Sequence, residues 1–289
     1  MRSSQYSTFN SRHRARICAL RPHLDRLYAQ WNRPEFISPD PLQFAIGHKD
    51  LADREITGLI ASSLAFGNVK QILASIRSVL DRVPQPAHWL DGATPRQIIE
   101  TFADFRHRYS TGAELAALLT GAKYLREEFG SLGAALHAGM NEDEDDISPA
   151  LARFVAALKS LGGTRENYLL PDPARGSACK RLHLYLRWMV RCDDVDPGGW
   201  PFIPASKLLI PVDTHIHRLA TRLRLTGRNA ADLRTSREIT AAFRLIAPED
   251  PVRYDFALTR LGIRSDTTPD CFLAECNAAP LRQGASGRT

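Results

Sequence analysis

Apolar residues recur along most of the chain at spacings of three and four, the mark of helices with one buried face. The clearest stripe is Ile216, Leu219, Ala220 and Leu223, at i, i+3, i+4 and i+7. An apolar run from Leu208 precedes it and ends at Pro211, which biases its predecessor to extended backbone. Asp213 stands where an N-cap belongs, and Gly227 where the helix stops. A second stripe, Leu182, Tyr185, Leu186 and Met189, predicts a helix with Ser177 as N-cap. A third runs through Val69, Ile72, Leu73, Ile76, Val79 and Leu80; Asn68 caps it, and Gln71 completes a capping-box-like pair.

Punctuation divides the rest. Residues 1–24 hold no acid and read as a flexible basic arm, followed by a short helix from His23 to Trp31. Asn32 to Pro41, with three prolines, reads as a linker. Asp53 can cap a helix whose Ile56, Leu59, Ile60 and Ser63 share a face, ended by Gly67. Breakers fill Pro84 to Pro95, and helices are expected near 95–108, 112–128 and 131–139. Asn141 to Asp146 is an acidic, solvated loop. A helix from Ser148 to about Leu161 ends at Gly162-Gly163. Asp193 to Pro204 reads as a loop carrying Trp200 and Phe202. Thr235 and Glu238 suggest a capping box before Ile239, Ala242, Phe243 and Ile246, with Pro248 as the stop. Asp250-Pro251 opens a last helix with Tyr254, Phe256 and Leu258, and the tail from Gln283 is small and polar. No alternating strand and no repeat stand out. The expected class is all-α.

Length and charge narrow the partners. The chain has 289 residues, enough for one large domain or two small ones, and a net charge of +6. It contains no run of 18 apolar residues, so no membrane partner is expected. From Arg175 to Arg191 there are five Lys or Arg residues and no acid; from Thr214 to Arg228 there are four and none. Such stretches are either solvated faces or a surface for a phosphate backbone. The five cysteines, Cys18, Cys179, Cys192, Cys271 and Cys276, are odd in number and scattered. That favours a reduced cytoplasmic protein over a disulfide scaffold.

Candidate chemistry gathers at the first two stripes. Lys180 falls in the first turn of its helix, the unfavourable end of the dipole for a cation. An amine held there is a candidate nucleophile, unless it swings into water as a surface lysine. Asp213 either caps the free amides of its helix or faces a cleft and reacts. The pairing of the two favours the chemical reading.

A lysine near one helix start followed by Val212-Asp213-Thr214-His215-Ile216-His217-Arg218 at a later one resembles the helix-hairpin-helix DNA glycosylase superfamily, to which endonuclease III belongs. More closely, Gly67-Asn68-Val69-Lys70-Gln71, the stretch Gly176–Arg191 and the stretch Pro211–Arg218 resemble signatures of a bacterial family of unknown function, DUF2400. The glycosylase resemblance implies two helical lobes, residues 1–45 with 211–289 and residues 46–210, with a cleft between them. It implies Lys180 as nucleophile at C1′ of a damaged nucleotide and Asp213 as its acid partner. It implies a monomer that works on lesion-containing double-stranded DNA beside the nucleoid. Asn68, Lys70 and Gln71 match the turn that fills the gap left by a flipped base, although they equally suit a helix start. Arg175, Gly176, Ser177, Arg181, His215 and Arg218 are the matching DNA contacts, and Trp200 could stack on a base or anchor its loop.

The chain also departs from that superfamily. The 33-residue interval from Lys180 to Asp213 is long and closer to the archaeal 8-oxoguanine glycosylase branch. The glycine-rich hairpin has become Leu170 to Ser177, with Gly176 surviving; the Ser177 and Ala178 amides still suit a phosphate. Cys271 and Cys276 are too few for the iron–sulfur cluster of endonuclease III, so no cofactor is expected. Cys179 reads as a small buried residue rather than a thiolate.

Two rivals remain. His215-Ile216-His217 matches the H-x-H of metal-dependent amidohydrolases, but on a helix these rings point roughly 200° apart, and only 72 residues follow His217. No metal site is expected. The other rival is a glycosylase scaffold that binds nucleic acid without excising a base.

Overall fold

The computed structural model describes residues 9–263 and 269–278, and these are mostly helical. The expected basic arm is corrected from Asn10 onward. The Asn10 side chain accepts the His13 amide and starts helix α1, Ser11–Cys18. Helices α2 (Arg21–Trp31) and α3 (Leu42–Ile46) follow, the second after the proline-rich linker.

Helix α4 spans Leu51–Ser63 and is buried on nearly every side, as expected of a helix at the centre of a packed domain. Its cap is Asp50, not Asp53. Asp53 instead accepts the Ala87 amide at 2.9 Å and so tethers α6, Pro86–Gly92. That helix occupies a stretch expected to be broken. Pro86 sits in its first turn, where a missing N–H costs nothing. Between them lies α5, Val69–Leu80, capped by Asn68 through the Lys70 amide.

Helix α7, Pro95–Thr101, stops well short of residue 108. The chain then turns through a two-residue antiparallel pair, β1 (Arg106–His107) with β2 (Ser110–Thr111). Strands this short carry no alternation that a sequence could display. Thr111 and Glu114 form a capping box for α8, Gly112–Phe129, which ends at left-handed Gly130. Helices α9 (Leu132–Ala138) and α10 (Ser148–Leu161) complete this part. A Cβ on Gly121 would lie 2.2 Å from the Leu158 carbonyl oxygen, so α8 and α10 touch backbone to backbone.

Helix α11 is Lys180–Val190 and α12 is Thr214–Arg222. Asp232 caps α13, Leu233–Arg244, by accepting the Thr235 amide. The expected Thr235–Glu238 box is therefore absent; Glu238 accepts from the Thr226 hydroxyl. Helix α14, Asp255–Ile263, begins five residues after Asp250, and α15 covers Pro269–Ala278. The tail from Gln283 lies outside the described residues.

Packing joins distant parts of the chain. Helix α4 lies against α3, α6 and α11, while α2 lies against α14 and α15, and α1 against α13. Of the two roles open to Trp200, stacking on a base does not survive this arrangement. Trp200 is fully buried, its indole donates to Glu55 Oε1 at 2.6 Å, and its ring meets Tyr185 edge-on at 5.2 Å. Glu55 also accepts the Leu132 and Gly133 amides at the start of α9. A buried carboxylate needs such donors, and Trp200 supplies one of them. It is an anchor.

Candidate active site

The two helix starts singled out by the sequence meet. Lys180 Nζ lies 2.8 Å from Asp213 Oδ2. Their side chains are 34% and 29% exposed, so the pair is open to solvent without being a loose surface contact.

Local chemistry aims each group. The Asp213 backbone is extended, its other carboxylate oxygen accepts the Ile216 amide at 2.8 Å, and Oδ2 is left for Lys180. Capping and pairing thus coexist. Burial works against the Asp213 carboxylate, but Lys180 and the Ile216 amide outweigh it and hold its pKa below the ordinary value. The lysine is placed by an uncommon turn. Cys179, at φ 43°, is the N-cap residue of α11, and Ser177 is not. Ser177 accepts the Cys179 amide through its hydroxyl and pairs through its backbone with Asp232. Cys179 is buried, and burial pushes its thiol up to about 11.

Lys180 and Asp213 line a cleft of about 490 Å³, within the range of small-molecule sites. Pro39, Asp40, Phe66 and Gly67 line it as well, and the deeply buried Arg187, Asp255 and Arg260 form a charged floor. His215 also lines it, with Nε2 3.2 Å from the Leu258 carbonyl oxygen. A Cβ on Gly262 would lie 2.2 Å from that imidazole, so a residue larger than glycine there would displace the ring. Arg181 lines the cleft but is held by the Ser63 and Tyr168 carbonyls.

The remaining candidates lie further out. Asn68, Lys70 and Gln71 are exposed at the start of α5, next to the cleft residues Gly67 and Val69. Arg218 is exposed on α12 and borders a separate shallow groove with Arg222 and Asp270. Arg175 is paired with Glu166 and Asp172, and the Gly176 carbonyl accepts the Leu233 amide. The remnant hairpin is therefore pinned to the start of α13. His217 Nε2 lies 2.8 Å from the Arg228 carbonyl oxygen, and among the described residues no three His, Cys, Asp or Glu side chains group to hold a metal. The described cysteines form no disulfide, and no described helix is long and apolar enough to cross a membrane.

A family model for proteins of unknown function, DUF2400, matches residues 40–264. The chain belongs to this family. No curated protein and no solved structure matches it. The DUF2400 match spans each residue that lines the cleft apart from Pro39.

Sequence reasoning missed Asp255. In this DUF2400 protein it is almost fully buried at the cleft floor, with Oδ2 2.5 Å from Arg187 Nη1 and Oδ1 without a hydrogen-bond partner. Burial pushes its carboxyl up to about 6, against the pull of Arg187. Its signal was present: a carboxylate set between Tyr254 and Phe256 inside an apolar stripe.

Proposed function

We propose that this protein is a DNA glycosylase with lyase activity, which removes a damaged base and cleaves the resulting site through Lys180. The observation that carries the reading is the Lys180–Asp213 pair at the wall of a cleft large enough for an extruded nucleoside. Support also comes from the acid-free stretch Thr214–Arg228, whose Arg218 and Arg224 are exposed, and from α2 packing on α14 and α15 as the proposed terminal lobe requires.

The chemistry uses the chain's own groups. Duplex DNA is gripped through its phosphates, and one nucleotide is flipped into the cleft, separating Lys180 from Asp213. The Lys180 ammonium gives a proton to the departing base, and the freed amine forms a bond to C1′ as the C1′–base bond breaks. The bonding pair leaves with the base, which takes up that proton. Asp213 stabilises the positive charge developing on the sugar. The new amine loses a proton, and ring opening gives a Schiff base. Removal of a C2′ proton then expels the 3′ phosphate. The Lys180–Asp213 interval makes an oxidised base such as 8-oxoguanine the first lesion to test.

Borohydride trapping tests it on oligonucleotides carrying 8-oxoguanine, an oxidised pyrimidine, uracil or an abasic site. The native protein should form a covalent adduct and Lys180→Gln should not. Asp213→Asn should bind DNA while losing excision. The pinned hairpin favours a second reading, a nucleic-acid-binding protein without chemistry. Binding with no adduct on any lesion would establish that one.

A further inference from the structure

Beside the cleft, three aromatic rings and two arginines form a continuous patch that the pair chemistry does not use. Phe66 lines the cleft; Tyr168 meets it at 5.1 Å between ring centroids, and Tyr109 meets Tyr168 at 6.1 Å. The two tyrosines are 48% and 73% exposed, the latter the most exposed of the large apolar or aromatic side chains described. Arg181 lies over Phe66 and Tyr168, and Arg108 lies 5.6 Å from the Tyr109 ring.

The patch is built rather than incidental. Tyr109 sits in the turn between β1 and β2, where Arg108 adopts a left-handed backbone at φ 53°. The Arg108 side chain packs on Gly67, where a Cβ would lie 2.7 Å from its Cδ. Buried His107 locks the turn to the cleft wall, its ring nitrogens 2.9 Å from Ser75 Oγ and 3.1 Å from the Phe66 carbonyl oxygen. Burial lowers the His107 pKa, so it serves as a neutral strut. On the other side, Glu114 accepts the Tyr168 amide at 2.8 Å. Tyr109 and Tyr168 thus stand on fixed backbone at the edge of the cleft.

We infer that Tyr109 and Tyr168 are a stacking platform for unpaired bases of the DNA strand that enters the cleft. Exposed rings offer π-faces to any base, and the exposed Arg108 among them attracts the phosphates between bases. Paired bases inside a duplex have no free face to give. The inference rests on the DNA reading above and narrows its substrate: the damaged nucleotide is met in a bubble, gap or single strand in preference to intact duplex.

Fluorescence anisotropy with one lesion-bearing oligonucleotide, offered as single strand, as a central bubble and as full duplex, tests this. The native protein should bind the first two more tightly than the duplex. Tyr109→Ala and Tyr168→Ala should each weaken binding to unpaired strands about tenfold, the loss of one stacked base, and leave duplex binding within twofold. Tyr109→Phe and Tyr168→Phe, which keep the ring, should behave like the native protein. Thermal melting of each variant separates a lost platform from a lost fold. Equal affinity of the native protein for bubble and duplex, or alanine variants that bind unpaired strands normally, would overturn the platform. Adduct formation on the same oligonucleotides is scored separately: adduct without strand preference rejects the platform alone, and strand preference without adduct rejects the repair chemistry alone.

Discussion

Helix α11 carries an ion-pair system at each end, and the two differ in almost everything but charge. At its start, Lys180 faces Asp213 across an open cleft. At its end, Arg187 and Arg191 are 2% and 4% exposed and share the fully buried Asp196. Asp255 completes the partners of Arg187, while Asp193 and Asp250 complete those of Arg191. The Asp193 carboxyl, despite partial burial, is held down at about 2 by Arg191 and the Asp196 and Val195 amides. The sealed end joins the loop after α11 to the start of α14 and fixes their relation. The open end adds little to stability, because two charges each about one-third exposed gain little from each other in water. One helix therefore holds a clamp and a reactive pair, and solvent access decides which is which.

That contrast can be broken most severely at the clamp. Arg187→Met would leave Asp255 buried without its cation and Asp196 with Arg191 alone, and should cost about 3–5 kcal/mol in urea unfolding. A loss below about 1 kcal/mol would mean that the clamp is not structural. Lys180→Gln should change unfolding by no more than about 1 kcal/mol while abolishing adduct formation. A large stability loss there would make the open pair a second clamp.

Asp255 belongs to both systems and sharpens the comparison through pH. Its carboxyl titrates at about 6 in the folded protein, above the ordinary value of about 3.9. The folded state therefore holds this proton more tightly than the unfolded chain. Its contribution to stability is complete below pH about 4 and is lost as pH rises through about 6. The cleft floor gains a negative charge over the same range, so DNA binding should weaken severalfold between pH 5 and 7. Asp255→Asn should remove that inflection; an unchanged profile would assign it to another group.

The smallest effect is expected at Asp213. Its pKa is depressed, so its charge stabilises the fold above pH about 4 and stops doing so as pH falls through the lower folded value. Asn is an equally good cap, so Asp213→Asn isolates the charge. The melting difference between native and variant protein should be slight at pH 7 and shrink below pH 4. A difference that grows on acidification would contradict the pairing.

Much of the fold was written locally. The α10 boundaries, the stripes of α5, α11 and α12, and the Asp213 cap all follow from residues within one or two turns of each other. The errors came where several residues nearby offered the same local chemistry. Asp50 and Asp53 are both suitable caps for α4, and the choice fell to Asp50 because Asp53 is drawn to the Ala87 amide. Asp232 displaced Thr235 as the cap of α13 in the same way, and Ser177 spends its hydroxyl on Cys179. Trp200 shows the opposite case: a residue among breakers could stack or anchor, and the distant, buried Glu55 decides for the anchor by accepting its N–H.

By itself, then, the sequence determined that the chain is helical, where most helices run, and that a lysine and an aspartate stand at two helix starts. Only the tertiary structure decided that these two meet, that Asp255 lies beneath them, and that Tyr109 and Tyr168 stand beside them. The reason is one of range. Periodicity and capping act over a few residues and can be read along the chain, whereas burial, ion partners and open ring faces depend on segments brought together from far apart in sequence.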